Sequence, residues 1–404
     1  MKKTFAIMVA LVALVAFTAP AWAADEAPGP NFTVGGRMLT DVGYHNVSKE
    51  FTANKKEDVT SAFVSLGNTS YLRGTFTSAD KTTGGVVELS MSSKINNAET
   101  VGLRFAYGWW KVGNCKLYAG QTDNWLGSTA FAPKQYFGQT EGGKNEMTNW
   151  GHIYGGRNPQ AGFQWESGMF GFQIALVQPG AEKIATLPAT VDAYANLPRI
   201  DLALKLNAGG FLVQPGFGWS QLKMEGVASG ADDNYTSMIF ILPVKFSAGP
   251  FTAKVEGHWG KNIDGEWSGG RLPSLGTGLS ANSTSTIKLG MPEIKTNGKI
   301  EDTTQVGGIV SAEFKILPVW TAAAGFGIEK LNNDAWKQSA ASGGLAGKDD
   351  NYTRTGYFVS LPYEVTKNFT VHPEFAYYNY GDNPLTSKDY GTEWLAGLQF
   401  RFVF

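Results

Sequence analysis

From Trp394 to the last residue, every second position is apolar: Trp394, Ala396, Leu398, Phe400, Phe402 and Phe404. Glu393, Gln399 and Arg401 stand between them. Side chains alternate faces along a strand, so this period of two predicts a β-strand with one apolar and one polar side. Aromatic residues near both ends of the run suit a tilted strand that crosses a bilayer, which needs only about 9–11 residues.

The same rule finds partners for that strand throughout the chain. Near the start, Phe32, Val34, Met38, Val42 and Tyr44 oppose Thr33, Arg37 and Asp41. Ile200, Leu202, Leu204 and Leu206 oppose Arg199, Asp201 and Lys205, and Phe251, Ala253, Val255 and Trp259 oppose Lys254, Glu256 and His258. Val306, Val310, Phe314 and Ile316 alternate with Gln305, Ser311, Glu313 and Lys315. Short turns join these segments at one end (207–210, 247–250, 317–318, 364–368) and long polar stretches at the other (48–58, 123–159, 178–198, 223–235, 263–302, 332–351, 381–391). Short and long connections in alternation are the pattern of an outer-membrane barrel, with turns periplasmic and loops external. About sixteen segments are expected, an even number that lets the last strand pair with the first and removes both sheet edges. The count is open by two, because 59–78 reads as one long strand or two short ones. The expected fold class is therefore all-β, a transmembrane antiparallel β-barrel. A soluble sandwich would place its polar residues outside, against the outward aromatics found here.

The N-terminus reads as a signal peptide over 1–23. Lys2 and Lys3 precede an apolar run from Phe5 to Phe17, and Ala21-Trp22-Ala23 supplies the small residues of a cleavage site. The barrel domain then occupies 24–404. Export through the periplasm to the bacterial outer membrane follows, with outer-membrane lipid and lipopolysaccharide as surroundings. A mean hydropathy of −0.17 with 50 glycines suits a barrel with an apolar outer face and a polar lumen. Lys and Arg number 34 against 35 Asp and Glu, so no basic excess points to nucleic acid. The single cysteine, Cys115, excludes an internal disulfide framework, and neither haem-attachment nor zinc spacing occurs, so no cofactor or metal is expected.

Several stretches resemble the general bacterial porin family, whose members are sixteen-stranded and usually trimeric. Val34-Gly35-Gly36-Arg37 through Asp41-Val42-Gly43-Tyr44 looks like the family's opening strand. Ser70-Tyr71-Leu72-Arg73-Gly74 with Gly84-Gly85-Val86-Val87-Glu88 is similar to its second hairpin. Leu103-Arg104-Phe105-Ala106-Tyr107, then Tyr118-Ala119-Gly120-Gln121, resembles the hairpin before the third loop. The resemblance implies a homotrimer and a third loop, about 123–159, folded into the lumen. It also implies loop carboxylates (Asp123, Glu141, Glu146) facing arginines across the pore. Arg73 matches a family arginine, Arg37 and Arg104 share its lumen parity, and Asp41 and Lys116 join them as lining residues. A terminal aromatic such as Phe404 resembles the signal read by the barrel-assembly machinery, besides anchoring the last strand.

The function implied is passive diffusion of small hydrophilic solutes and ions through a water-filled channel, without catalysis. Parity places ten cations and nine acids on the lumen wall, which predicts weak ion selectivity unless the third loop dominates. Trp109, Trp110, Tyr118, Trp165, Trp219, Trp259, Tyr363, Tyr377 and Trp394 are expected in the interfacial aromatic girdles. The alternative is a substrate-specific channel with a lumen binding site, built as a basic ladder for anions or an aromatic slide for sugars. Two further rivals are weaker. A barrel enzyme needs a nucleophile paired with a base, and none of the four histidines (His45, His152, His258, His372) lies in a hydrolase motif. A sheath around a periplasmic electron carrier leaves no signature to read.

Overall fold

The computed structural model describes residues 29–51, 57–93, 99–135, 147, 150–180, 191–226, 232–267, 274–276, 286–295, 297–337, 349–384 and 387–404. The expected signal segment lies outside these residues, as do Glu141 and Glu146. The barrel is a closed antiparallel sheet of sixteen strands. In chain order they are β1 (Asn31–Val47), β2 (Val59–Thr77), β3 (Thr83–Ser93), β4 (Glu99–Val112), β5 (Cys115–Thr122) and β6 (Asn158–Ser167). β7 (Phe170–Val177), β8 (Arg199–Ala208), β9 (Phe211–Val213 with Gly216–Glu225), β10 (Asn234–Ala248) and β11 (Phe251–Lys261) follow. The circuit ends with β12 (Thr304–Leu317), β13 (Trp320–Asn332), β14 (Asn351–Ser360 with Tyr363–Thr366), β15 (Phe369–Asn379) and β16 (Thr392–Val403). β9 and β14 are interrupted at Gln214-Pro215 and Leu361-Pro362, where the proline has no N–H to give the ladder.

β1 pairs with β16 from Arg37 opposite Val403 to Val47 opposite Glu393, which closes the circle. Gly36 and Phe404 complete the seam by exchanging backbone hydrogen bonds of 2.9 and 3.1 Å. The stretch 59–78 is one strand, β2, with a register irregularity against β1 and β3 between Leu66 and Ser70. That irregularity is why its alternation reads as two pieces.

Alternation sorts the faces as expected on most strands. Phe32, Val34, Met38, Val42 and Tyr44 are exposed on the outer wall, as are Leu202, Leu204, Val306, Val310 and Phe314. Asp41, Glu88, Asp201, Glu256, Glu329, Glu374 and Glu393 are buried on the inner wall. β4 departs from the rule. Its pairing with β3 shifts between Phe105 opposite Glu88 and Leu103 opposite Leu89, leaving Arg104 as an extra residue. An extra residue flips every side chain beyond it. Val101 and Leu103 face outward above the bulge, whereas Trp110 and Val112 do so below it. Trp109 lies opposite Tyr118, beside Lys116, on the inner wall. The girdle assignment of Trp109 and Tyr118 is therefore wrong: both face the lumen.

The packed interior sits inside the barrel, between wall and loops. One cluster joins Trp150 to Ile309, Phe358, Tyr378 and Leu395; a second joins Leu126 and Ile153 to Ile239, Ile241, Ile263 and Trp267. Apolar side chains on an inner wall normally meet water. Here segments between strands cover them.

Candidate functional site

Arg37, the residue after Gly36, carries the first wall cation into a cluster built on β1, β2 and β4. The Arg37 guanidinium donates to the Thr69 carbonyl from Nε (3.2 Å) and Nη2 (2.9 Å), which fixes it beside Tyr71. Arg73 and Arg104 share one carboxylate. Nε of Arg73 donates to Glu88 Oε2 and Nε of Arg104 to Glu88 Oε1, each at 2.6 Å, and the Glu88 side chain is wholly buried. Aromatic rings separate these cations. The Tyr71 ring centroid lies 5.1 Å from Arg37 and 5.0 Å from Arg73, and Phe105 lies 5.5 Å from Arg73 and 5.4 Å from Arg157. Arg157 also stands 5.4 Å from the Tyr154 ring. Guanidinium over an aromatic face is attractive by about 0.5–2 kcal/mol, and a flat ring on each side restricts the arginine's rotamers. The result is an alternating row, Arg37–Tyr71–Arg73–Phe105–Arg157–Tyr154, from wall to third loop.

This row borders a cavity of about 450 Å³, whose lining also includes Lys134, Lys254, Arg401 and Asp123. Asp123 follows the end of β5 and lies 3.8 Å from Arg157, just before β6. Burial raises the Asp123 carboxyl above the ordinary aspartate range, and Arg157 and Arg104 only partly oppose that shift. Lys134 and Lys254 both pair with Glu313 at 2.9 Å. Seven cations (Arg37, Arg73, Arg104, Lys134, Arg157, Lys254 and Arg401) thus line the cavity against Glu88, Glu313 and Asp123, an excess of four positive charges.

The segment between β5 and β6 reaches the opposite wall, and wall side chains grip its backbone. Glu256 Oε1 accepts from the Ile153 N–H at 2.7 Å, and its Oε2 lies 2.8 Å from His152 Nδ1. Glu329 accepts from Gly151 N–H at 3.2 Å, Lys254 donates to the Ala132 carbonyl at 2.8 Å, and Ser360 donates to that of Lys134 at 3.1 Å. Contact is close enough to need glycine on the wall: a Cβ on Gly327 would overlap the Trp150 carbonyl. Trp150 fills the space between, with ring centroids 4.9 Å from Tyr378 and 5.0 Å from Tyr380, and Arg354 lies 4.5 Å from its face.

Of the residues singled out from sequence, Arg37, Arg73, Arg104 and Asp123 meet at this cavity. Asp41 points to the same interior but is wholly buried and does not border it. Lys116 lies further toward the short-turn end, 5.9 Å from the Trp109 ring and 5.5 Å from that of Tyr118. Phe404 stays on the outer wall, 60% exposed. Lys134 and Arg157, loop cations set against Asp123 in the sequence, also border the cavity, whereas sequence reasoning missed Tyr71, Phe105, Arg401 and Lys254 as partners in one site. Parity placed Arg401 and Lys254 in the lumen, yet no spacing joins residues from strands so far apart in the chain.

No family model matches the sequence, and no curated protein matches it. Solved structures do. The chain is similar to the outer-membrane channel DcaP of Acinetobacter baumannii, at 15% identity and a TM-score of 0.66 over 94% of this chain and 99% of that one. It is similar to an anion-selective porin from Comamonas acidovorans, at 12% identity and a TM-score of 0.56 over 93% and 100%. Salmonella typhi OmpF is another, at 13% identity and 0.55 over 94% and 99%. At these identities the match establishes the fold, and the porin resemblance read from the sequence stands at that level.

Proposed function

We propose that this chain is an outer-membrane channel for passive diffusion of small hydrophilic solutes, with a preference for anions. The observation that carries the reading is the placement of charge rather than its count. Counting alone balances the wall. In place, most wall acids lie buried beneath the third loop or inside ion pairs, while an excess of four cations borders the cavity. Charges facing a narrow aqueous passage set which ions enter it, and low-dielectric walls focus their field. The described parts of the third loop, 123–135 and 150–157, serve as the constriction in this reading, because their wall anchors hold them across the lumen. The anion selectivity in the name of the Comamonas protein accords with the same preference. The homotrimer, the export signal over 1–23, the lipid and lipopolysaccharide surroundings and recognition of Phe404 by the assembly machinery belong to the same proposal.

Recording in planar bilayers under a potassium chloride gradient tests it. The expected result is an ohmic conductance whose reversal potential has the sign of chloride preference. A cation-selective reversal potential would sink the reading.

A further inference from the structure

Beyond the cavity, the bulge at Arg104 turns three consecutive rings of β4 into the lumen: Phe105, Tyr107 and Trp109. Their centroids are spaced 6.2 and 5.7 Å apart, and each ring is partly exposed. Residues two apart on a strand rise by about 7 Å, so the three form a ladder running from the arginine cluster toward the short-turn end. Trp109 passes over Gly84 of β3, where any Cβ would overlap the indole. The glycine lets the ring lie close along the wall, where it stays partly exposed. Cations flank both ends. Arg73 and Arg157 stand 5.5 and 5.4 Å from Phe105, and Lys116 stands 5.9 Å from Trp109.

We propose that this ladder is a binding track for aromatic carboxylates, a deepening that rests on the anion-channel reading above. A planar aryl anion matches both parts of the surface. Its carboxylate pairs with a guanidinium or with the Lys116 ammonium, and its ring stacks in an offset arrangement on Tyr107 or Trp109. Neutral sugars would use the ring faces alone and leave the flanking cations without a role. Aliphatic anions would use the cations alone. Rings that only padded the wall would be buried, whereas these three stay partly exposed. Successive rings at similar spacing allow handover from one to the next, so binding does not trap the solute.

The test compares benzoate with cyclohexanecarboxylate, which has the same charge and nearly the same bulk but no aromatic face. Each is added to full-length channels in planar bilayers, and the fall in chloride current is read. Benzoate is expected to reach half-block at a concentration about two- to tenfold lower, the range set by one aromatic pair. In Tyr107→Leu/Trp109→Leu channels the two acids should converge. Equal half-block by the two acids in the unaltered channel, with chloride preference intact, overturns the track while sparing the channel reading. Equal block by benzyl alcohol and benzoate overturns its anionic character. A benzoate advantage that survives the double substitution overturns its placement on β4. Loss of chloride preference in potassium chloride alone strikes the channel reading instead.

Discussion

The two halves of the lumen use the same residue types to opposite ends. On the β1–β5 side, arginines border open space and aromatic rings hold them apart. On the β11–β16 side, carboxylates are buried and spend their lone pairs on the third loop, while Trp150, Phe358 and Tyr378 pack into an apolar core. A buried carboxylate needs donors to offset its desolvation, and loop N–H groups supply them. One wall is therefore chiefly a scaffold and the other chiefly a working surface, with Lys254 of β11 and Arg401 of β16 reaching across to the cavity. Charge counts along the sequence cannot separate them, since both walls obey the same alternation.

The largest effect should come from breaking the scaffold. Glu256→Leu strands the Ile153 N–H and removes the partner of His152, a loss of about 3 kcal/mol by the cost of orphaned buried groups. The folded barrel should then lose its compact gel mobility at a lower temperature, and its current should become noisier. Glu256→Gln keeps an acceptor and should shift both much less. An unchanged trace in the leucine variant would mean that apolar packing around Trp150 alone secures the loop.

Next in size is the working surface. Neutralising Arg37 and Arg73 together with serine should lower the chloride-to-potassium permeability ratio by up to about thirtyfold, as each part-exposed charge acts at roughly 1 kcal/mol in water-like surroundings. Arg104 still pairs with Oε1 of Glu88 in that variant and keeps its buried charge compensated, so the barrel should fold. No shift would place the constriction elsewhere.

A smaller change should follow pH. The Asp123 carboxyl titrates above the ordinary aspartate range, so acidification neutralises it before an exposed aspartate. Removing that negative charge leaves the cations less opposed, and chloride preference should rise as pH falls from 7 toward 4. Asp123→Asn should show the higher preference at neutral pH and lose the dependence. A fall in preference on acidification would contradict the assignment. The smallest effect is expected from salt. Chloride preference should weaken between 0.1 and 1 M as the Debye length shrinks from about 10 to 3 Å, since the cluster faces water. A preference independent of salt would indicate binding at a dry site.

The barrel was legible because lipid imposes alternation on every strand. The β16 pattern ending at Phe404 and the outer faces of β1, β8 and β12 agree with the structure residue by residue. The site was legible only in part. Arg37, Arg73 and Arg104 carry their inward position in their parity, but a one-residue bulge is invisible to a period-two reading that treats Arg104 as an ordinary step. That single residue misplaced Trp109 and with it the ladder on β4. Arg157 and Tyr154 sit outside any strand, so no periodicity marks them. Burial of the opposing acids depends on where a loop lands, which local sequence does not encode.

Four of the wall's hydrogen bonds to the third loop end on main-chain atoms: the N–H groups of Gly151 and Ile153, and the carbonyls of Ala132 and Lys134. Main-chain N–H and carbonyl groups are common to nearly all residues, so these four bonds are indifferent to the side chains that carry them. Leu126, Trp150, His152 and Ile153, by contrast, are also fixed by their own side chains. The loop can accumulate substitutions on its passage side without coming loose, and a lineage can retune what it admits while its wall stays still. An engineer can do the same, leaving Glu256, Glu329 and Lys254 untouched as a fixed socket, keeping Leu126, Trp150, His152 and Ile153, and varying loop residues that face the passage.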